Sequence, residues 1–152
     1  KLRRAVPGIG LTTDIIVGFP GETEEQFENT LSLVKQVGYD SAFTFIYSPR
    51  PGTRAASMTE QVPSEVAQAR LEKLLKAQEE AQAAAQKRLL GMEVEVLVES
   101  LSRRSDKAVS GKGLHGVSVT FLGSAADIGQ IVRVRITECA NNTLRGDRIE
   151  KE

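Results

Sequence analysis

The stretch TTDIIVGFPGETEEQF, from Thr12 to Phe27, decides the fold of the first part of the chain. A run of β-branched and apolar residues ends at Gly18, and a turn rich in glycine and proline follows. Continuous apolar runs are typical of parallel strands that are buried on both faces. Thr23 and Gln26 then form a Thr-x-x-Gln capping box, which is a signal for the start of a helix. We therefore predict a buried strand over Ile9 to Val17 and a helix that begins after Thr23.

A second strand is predicted over Tyr39 to Tyr47, and it runs into the loop sequence YSPRPGT, Tyr47 to Thr53. Helical spacing of apolar residues and a glycine stop at Gly38 connect the two strands, so the segment reads as one right-handed βαβ unit. Ligands of α/β sheets bind at the carboxyl ends of the strands. The two strand ends are therefore predicted to form one wall of a pocket.

The sequence from Ser64 to Leu90 contains neither glycine nor proline and predicts a long helix, ended by Gly91. Beyond Gln78 its apolar face shrinks to alanines, which favours a lightly anchored connecting helix over a coiled-coil arm. Its buried face is predicted to carry Val66, Leu71, Leu74 and Leu75.

From Met92 onward the hydrophobic period changes to two, and glycine-containing turns separate the runs. Five short strands in so few residues favour a small closed barrel, because closure removes exposed edges. In one strand the pattern points Val132, Val134 and Ile136 inward and Arg133 and Arg135 outward. Replacing Val134 with Asp should unfold such a barrel, whereas alanine at both arginines should leave it folded.

Composition excludes several classes of protein. The 152 residues carry 20 basic and 20 acidic side chains, and no segment approaches the ~20 continuous apolar residues of a membrane span. A single cysteine, Cys139, excludes an internal disulfide and a four-thiolate metal site, and it is expected to pack inertly. His115 has no second ligand nearby, so no metal site and no catalytic residues are predicted. A cytoplasmic location without membrane contact is the expectation.

Together, TTDIIVGFPGETEEQF and YSPRPGT resemble the last part of the radical S-adenosylmethionine barrel of the tRNA methylthiotransferases of the MiaB type. The region after Met92 resembles the TRAM domain that ends those enzymes. The resemblance implies an α/β plus all-β chain. Residues 1–62 would be the carboxyl-terminal part of a partial TIM-like (β/α) barrel, 63–91 a connecting helix, and 92–152 a five-stranded, OB-like, RNA-binding β-barrel.

The same resemblance implies a function. The parent enzyme would methylthiolate a hypermodified adenosine beside the tRNA anticodon, with S-adenosylmethionine and [4Fe-4S] iron–sulfur clusters as cofactors. Its partners would be the tRNA anticodon stem-loop and the upstream part of the same polypeptide, which would hold the cluster ligands. The chain alone is then expected to be inactive and to bind no iron, and the unpaired edge of the strand at Ile9 to Val17 is expected to promote association.

Candidate site residues follow from the matching positions. The resemblance places Ile16, Val17 and Gly18 at the adenine of the cofactor, and Tyr47, Ser48 and Arg50 close the same pocket. An arginine at a strand end can grip a carboxylate. RNA phosphates would be bound by basic residues of the barrel. They are Arg103, Arg104, Lys112, Arg133, Arg135 and Arg145, with Lys107 and Arg148 nearby.

Simpler alternatives stay open at each position. The glycines could serve the sharp turn alone, Arg50 could pair with a surface acid, and the basic residues could form an ordinary solvated face. At the level of function, the chain could be a stand-alone RNA-binding module. It could also belong to a radical methylthiotransferase that acts on another tRNA adenosine or on a ribosomal protein.

Overall fold

The computed structural model describes residues 1–113, 116–140 and 143–149, and His115 lies outside them. The chain divides into two compact units, which we call the α/β unit, Gly10–Gln82, and the barrel unit, Lys1–Ile9 with Ala83–Glu152. The elements in chain order are α1 Leu2–Ala5, β1 Thr12–Val17, α2 Glu24–Val37, β2 Ser41–Ile46, α3 Ser64–Lys87, β3 Glu93–Ser102, β4 Ser105–Lys112, β5 Ser118–Leu122, β6 Ile131–Ala140 and β7 Thr143–Arg148. Among the described helices, none is both long and apolar enough to cross a membrane.

The α/β unit contains the predicted strand–helix–strand arrangement. Strands β1 and β2 pair in parallel from Thr12 opposite Ser41 to Val17 opposite Ile46, and α2 connects them. The capping box is present, because the amide of Gln26 donates to Thr23 Oγ1 at 3.2 Å and the Thr23 amide donates to Gln26 Oε1 at 3.0 Å. Helix α2 ends at Gly38, as predicted.

Both strands are shorter than predicted. Strand β1 begins at Thr12 rather than Ile9, and β2 covers Ser41–Ile46 rather than Tyr39 to Tyr47. Just before the ladder, the Leu11 amide donates to the Asp40 carboxylate at 2.8 Å, and the Asp40 amide donates to the Leu11 carbonyl at 2.8 Å. The Asp40 side chain therefore accepts the hydrogen bond from the Leu11 amide, which the prediction had assigned to the sheet.

The prediction that β1 is buried on both faces is wrong. One face of the two-stranded sheet packs on a core of Val17, Phe27, Leu31, Val34, Leu74 and Ala77. The other face leaves Ile16 52%, Phe43 66% and Phe45 51% exposed. Helices α2 and α3 cover one face of the sheet, and the second face stays largely exposed.

Helix α3 ends at Lys87 rather than Leu90. The amides of Arg88, Leu89 and Leu90 each bond to the carbonyl three residues earlier, so the final turn tightens from α to 3₁₀ geometry. Its buried face was predicted incorrectly at two positions, since Val66 and Leu75 are exposed. The buried positions of α3 are Ala67, Arg70, Leu74, Ala77, Gln78, Ala85 and Gln86.

The barrel unit closes five strands in the order β3-β4-β5-β7-β6, as the sequence predicted. Strands β5 and β7 pair in parallel, and the other four pairings are antiparallel. Val132, Val134 and Ile136 point inward, as predicted, because side chains alternate between the two faces of a strand. Its core consists of Val94, Val96, Val98, Val109, Val119, Phe121, Val132, Val134, Ile136 and Leu144.

Candidate functional site

A cavity of about 520 Å³ lies at the carboxyl ends of β1 and β2 in the α/β unit. Four of the six residues predicted to bind a cofactor line it: Ile16, Tyr47, Ser48 and Arg50. The remaining lining residues are Phe19, Phe45, Ile46, Thr53 and Ala55. The two strand ends therefore form one wall of a pocket, in the place where α/β sheets bind ligands.

The cavity combines an apolar wall with a small number of polar groups. The rings of Phe19 and Tyr47 meet edge to face, with their centroids 5.1 Å apart. The Tyr47 hydroxyl is buried and has no hydrogen-bond partner among the described residues. A buried hydroxyl without a partner costs free energy, and a ligand that offers a donor or an acceptor would recover it. The arrangement fits a ligand with a flat apolar ring and polar groups beside it.

Val17 and Gly18 do not line this cavity. The Val17 side chain is fully buried in the hydrophobic core, and its carbonyl accepts from the Tyr47 amide at 2.9 Å. The Gly18 amide donates to Glu22 Oε2 at 2.7 Å. A Cβ built on Gly18 would lie 2.7 Å from the Ala67 Cβ, so this glycine permits close packing between the turn and α3.

An unpredicted arginine holds the same turn. Arg70 is 6% exposed, and its Nη1 donates to Glu22 Oε2 at 2.8 Å and to the Glu22 carbonyl at 3.0 Å. The guanidinium also bonds to Glu24 and lies 5.5 Å above the ring of Phe27. The hydrogen bond from Arg70 is the main cause that lowers the pKa of Glu24, and the hydrogen bond from Lys73 is the second. One sequence pattern could have indicated that Arg70 is buried. Arg70 lies four residues before Leu74, so the two side chains share the apolar face of α3.

The predicted RNA-binding arginines of β6 lie on the outer face of the barrel, and both are ion-paired. Arg133 Nη2 lies 2.6 Å from Glu93 Oε2, and Arg135 Nη2 lies 2.7 Å from Glu93 Oε1. The hydrogen bond from Arg135 is the largest cause that lowers the pKa of Glu93. Arg145 Nη1 bonds to Glu138 Oε2 at 3.2 Å in the same way.

The cations near β4 are arranged differently. Arg103 and Arg104 form the exposed turn between β3 and β4, and neither makes an ion pair with a carboxylate in the described part of the chain. The same holds for Lys107. Lys112 donates to the Ser118 hydroxyl at 3.0 Å. The predicted basic residues therefore fall into an ion-paired group and a group whose charges are not neutralised.

Cys139 and the acidic residues do not form a metal centre in the described ranges, where no cluster of three or more His, Cys, Asp or Glu side chains occurs. The Cys139 thiol is half-buried and donates to the Gln86 carbonyl at 3.3 Å. Burial raises the pKa of this thiol, so the reactive thiolate is disfavoured. This environment is that of a packing cysteine.

Comparison with known proteins identifies the class of the barrel. Residues 87–149 match the family model of the TRAM domain. Nearly the whole chain is also similar to proteins named tRNA-2-methylthio-N(6)-dimethylallyladenosine synthase. It is 50% identical to the one from Anoxybacillus flavithermus over 99% of the chain and 29% of that protein.

Two further relatives of the same name agree. Identity is 46% with the Clostridium novyi protein, over 98% of this chain and 33% of the relative, and 46% with the Moorella thermoacetica protein, over 98% and 34%. The chain therefore spans about a third of the length of the curated relatives it matches. The resemblance to tRNA methylthiotransferases that the two sequence motifs indicated is confirmed.

Proposed function

We propose that this chain is part of a methylthiotransferase that modifies a dimethylallylated adenosine next to the anticodon of tRNA. The observation that carries the proposal is the sequence identity of 46% to 50% to proteins named tRNA-2-methylthio-N(6)-dimethylallyladenosine synthase, which extends over both units of the chain. The TRAM domain supports the proposal from a second direction, because an RNA-binding module suits an enzyme that acts on tRNA.

The cavity at the strand ends is proposed to take S-adenosylmethionine. Ile16, Phe19 and Phe45 would hold the adenine ring against apolar surface, and the buried Tyr47 hydroxyl and Ser48 would supply hydrogen bonds. The guanidinium of Arg50 would pair with the carboxylate of the methionine part. Val17 and Gly18 would not contact the cofactor with side chains. They would instead fix the shape of the site through their backbone and through the packing of the turn. Bound there, the cofactor would supply the radical chemistry of this enzyme class.

The remaining parts of the assignment follow from the same family. Residues 1–62 would be the carboxyl-terminal part of a partial TIM-like radical S-adenosylmethionine barrel, 63–91 a connecting helix, and 92–152 the RNA-binding barrel. A radical S-adenosylmethionine enzyme holds its iron–sulfur cluster with three cysteine thiolates, and this chain contains one cysteine. Iron–sulfur clusters would be held by upstream residues of the same polypeptide, in a cytoplasmic enzyme.

The RNA-binding role would rest on the basic residues of the barrel. Lys and Arg side chains release counterions from the phosphates that they neutralise, and this drives binding to RNA. The candidates are Arg103, Arg104, Lys112, Arg133, Arg135 and Arg145, and the ligand would be the anticodon stem-loop.

The experiment uses the complete polypeptide that contains this chain, reconstituted anaerobically and incubated with S-adenosylmethionine and tRNA that carries the dimethylallylated adenosine. Mass spectrometry of the nucleosides should detect the methylthiolated product. Arg50→Ala should lower product formation and weaken S-adenosylmethionine binding, measured separately by calorimetry. Arg54→Ala is the matched control, because Arg54 is exposed and does not line the cavity.

Three outcomes would contradict the proposal. Product on a ribosomal protein or on another tRNA adenosine, with none on this tRNA, would assign a different substrate. RNA binding without any methylthiolation would favour a stand-alone RNA-binding module. Equal effects of Arg50→Ala and Arg54→Ala would remove Arg50 from the cofactor site.

A further inference from the structure

The basic residues of the barrel differ in what already neutralises them. Arg133, Arg135 and Arg145 each lie 2.6 to 3.2 Å from a carboxylate oxygen of the same barrel. Arg148 likewise bonds to Asp127 at 2.7 Å. A phosphate that approached these arginines would also meet the carboxylates, whose charge repels it. Binding there would have to break or share an existing ion pair.

The cations at the turn between β3 and β4 are not held in ion pairs by any described residue, although the exposed Asp106 lies beside them in the sequence. Arg103, Arg104 and Lys107 are exposed, and none pairs with an acid within the described ranges. The hydroxyl groups of two serines, rather than the cationic side chains, bond to the backbone of the turn. The Arg104 amide donates to Ser102 Oγ at 3.3 Å, and the Lys107 amide donates to Ser105 Oγ at 3.2 Å. The local structure is therefore fixed while the cationic groups remain available.

The outer face of β4 and β5 continues this surface. Val109, Val119 and Phe121 point into the core, so the alternate residues Ser110, Lys112, Ser118 and Thr120 point outward. Ser110 and Thr120 share a hydrogen bond of 3.1 Å, and Lys112 bonds to Ser118 at 3.0 Å. These four side chains include no carboxylate, although the exposed Asp106 lies on the same face of β4 nearer the turn. Hydroxyl and ammonium groups are donors that bind phosphate oxygens.

The length of this surface suits an extended ligand. At about 3.3 Å per residue, β4 extends roughly 23 Å from Ser105 to Lys112, and Arg103 and Arg104 precede it. Phe121 is the one Phe, Tyr or Trp in the barrel sequence, and it is 3% exposed. The barrel therefore offers no such ring on which a base could stack, and its contacts should fall on the sugar–phosphate backbone.

We propose that the RNA backbone lies along this surface, which we call the β4 surface: Arg103, Arg104, Ser110, Lys112 and Thr120. Arg133, Arg135 and Arg145 instead stabilise the barrel through ion pairs with Glu93 and Glu138. The inference rests on the proposed RNA-binding function and assigns its surface within the TRAM domain. Because the contacts are to the backbone, binding should depend weakly on base sequence.

The test compares two charge-matched variants of the 152-residue chain, Arg103→Ala/Arg104→Ala and Arg133→Ala/Arg135→Ala. Each removes two positive charges from the same barrel. Binding to a fluorescent tRNA transcript is measured by anisotropy over a series of salt concentrations, with circular dichroism as the folding control. Two single-stranded oligonucleotides, one of adenine and one of uracil, report dependence on base sequence.

The Arg103→Ala/Arg104→Ala variant should weaken tRNA binding and reduce the magnitude of the log–log salt slope by about 1.4 to 1.8, at roughly 0.7 to 0.9 per phosphate contact. The Arg133→Ala/Arg135→Ala variant should keep the wild-type slope. Lys112→Ala should reduce the slope by about half as much as the first variant, since it removes one contact.

The opposite ranking of two folded variants would overturn the β4 surface while leaving RNA binding intact. It would return the contact to Arg133 and Arg135 of β6, which the sequence had also named as candidates. A strong preference for one oligonucleotide would contradict binding to the backbone. Absence of tRNA binding by the wild-type chain at every salt concentration would remove the proposed RNA-binding function itself, and the β4 surface with it.

Discussion

Strand β6 illustrates how strongly a single position determines the environment of a residue. Val134 is fully buried and Ile131 is 67% exposed, although both are β-branched and apolar and lie three residues apart. Their side chains lie on opposite faces of the strand because successive residues alternate. Arg133 and Arg135 lie on the same outer face as Ile131 and reach Glu93 on β3. Burial in this barrel therefore follows position in the strand rather than hydrophobicity.

Val134→Asp should destabilise the barrel by about 4 kcal/mol or more, because it places a carboxylate without a partner among Val119, Phe121 and Val132. Ile131→Asp is the matched control and should change the free energy of unfolding by no more than about 0.5 kcal/mol, because the site is solvated. Urea denaturation followed by circular dichroism measures both. Equal losses in the two variants would mean that β6 has a different register.

At the scale of elements, the turn after β1 is held by contacts with α3. The Gly18 amide and Arg70 share the carboxylate of Glu22, and Ala67 packs directly on Gly18. The turn leads from the strand end that lines the cavity, so its geometry also sets the position of Phe19. Helix α3 therefore positions one wall of the candidate cofactor site without contributing a residue to that wall.

Gly18→Ala and Gly38→Ala separate packing from backbone strain. Both glycines have a left-handed φ, +71° and +59°, so each substitution should cost about 1 to 2 kcal/mol. A Cβ at Gly38 meets nothing within 4 Å, whereas one at Gly18 would lie 2.7 Å from Ala67. Gly18→Ala should therefore lose about 1 to 3 kcal/mol more, as an overpacked core does.

Ala67→Gly should relieve that additional loss. In a double-mutant cycle, Gly18→Ala and Ala67→Gly should couple favourably by at least about 0.5 kcal/mol, because the two residues are in contact. Denaturant unfolding of the four proteins provides the measurement. Additive effects would show that the turn and α3 do not pack as described.

At the scale of the whole molecule, the α/β unit leaves hydrogen-bonding and apolar surface without a partner. Each strand of its two-stranded sheet pairs on one side, since β1 and β2 bond to each other and to no other strand in the described residues. The uncovered face presents Ile16, Phe43 and Phe45. Exposed strand edges and apolar patches recruit further chains.

The isolated chain should therefore associate as its concentration rises, and light scattering should detect species larger than a monomer. Phe43→Glu should reduce this association, because it places a charge on the uncovered face, where Phe43 is 66% exposed. Leu122→Glu is the control, since Leu122 is 71% exposed but lies on the barrel. A monodisperse wild-type monomer at high concentration would contradict the prediction, as would an equal response of the two variants.

Local sequence determined much of this protein. The capping box of α2, the stop at Gly38 and the alternation of β6 act between residues that are close in the chain, so their patterns could be read directly. The period-two runs after Met92 predicted the five-stranded barrel for the same reason. At the candidate site, strand-end position predicted that Tyr47, Ser48 and Arg50 form one wall of a pocket, and they line the cavity. The family resemblance added Ile16, which also lines it, and Val17 and Gly18, which do not.

Tertiary structure alone decided which groups meet across long distances. Arg70 reaches Glu22 on a segment 48 residues away, and Arg135 reaches Glu93 at a separation of 42. Pairings of this kind depend on strand register and helix packing, which no local pattern encodes. The sequence identified Arg133 and Arg135 as outward-facing cations, but the register of β3 against β6 pairs both with the single carboxylate of Glu93. Arg103 and Arg104 pair with no carboxylate in the ranges that the structure describes, because they lie in the turn between β3 and β4.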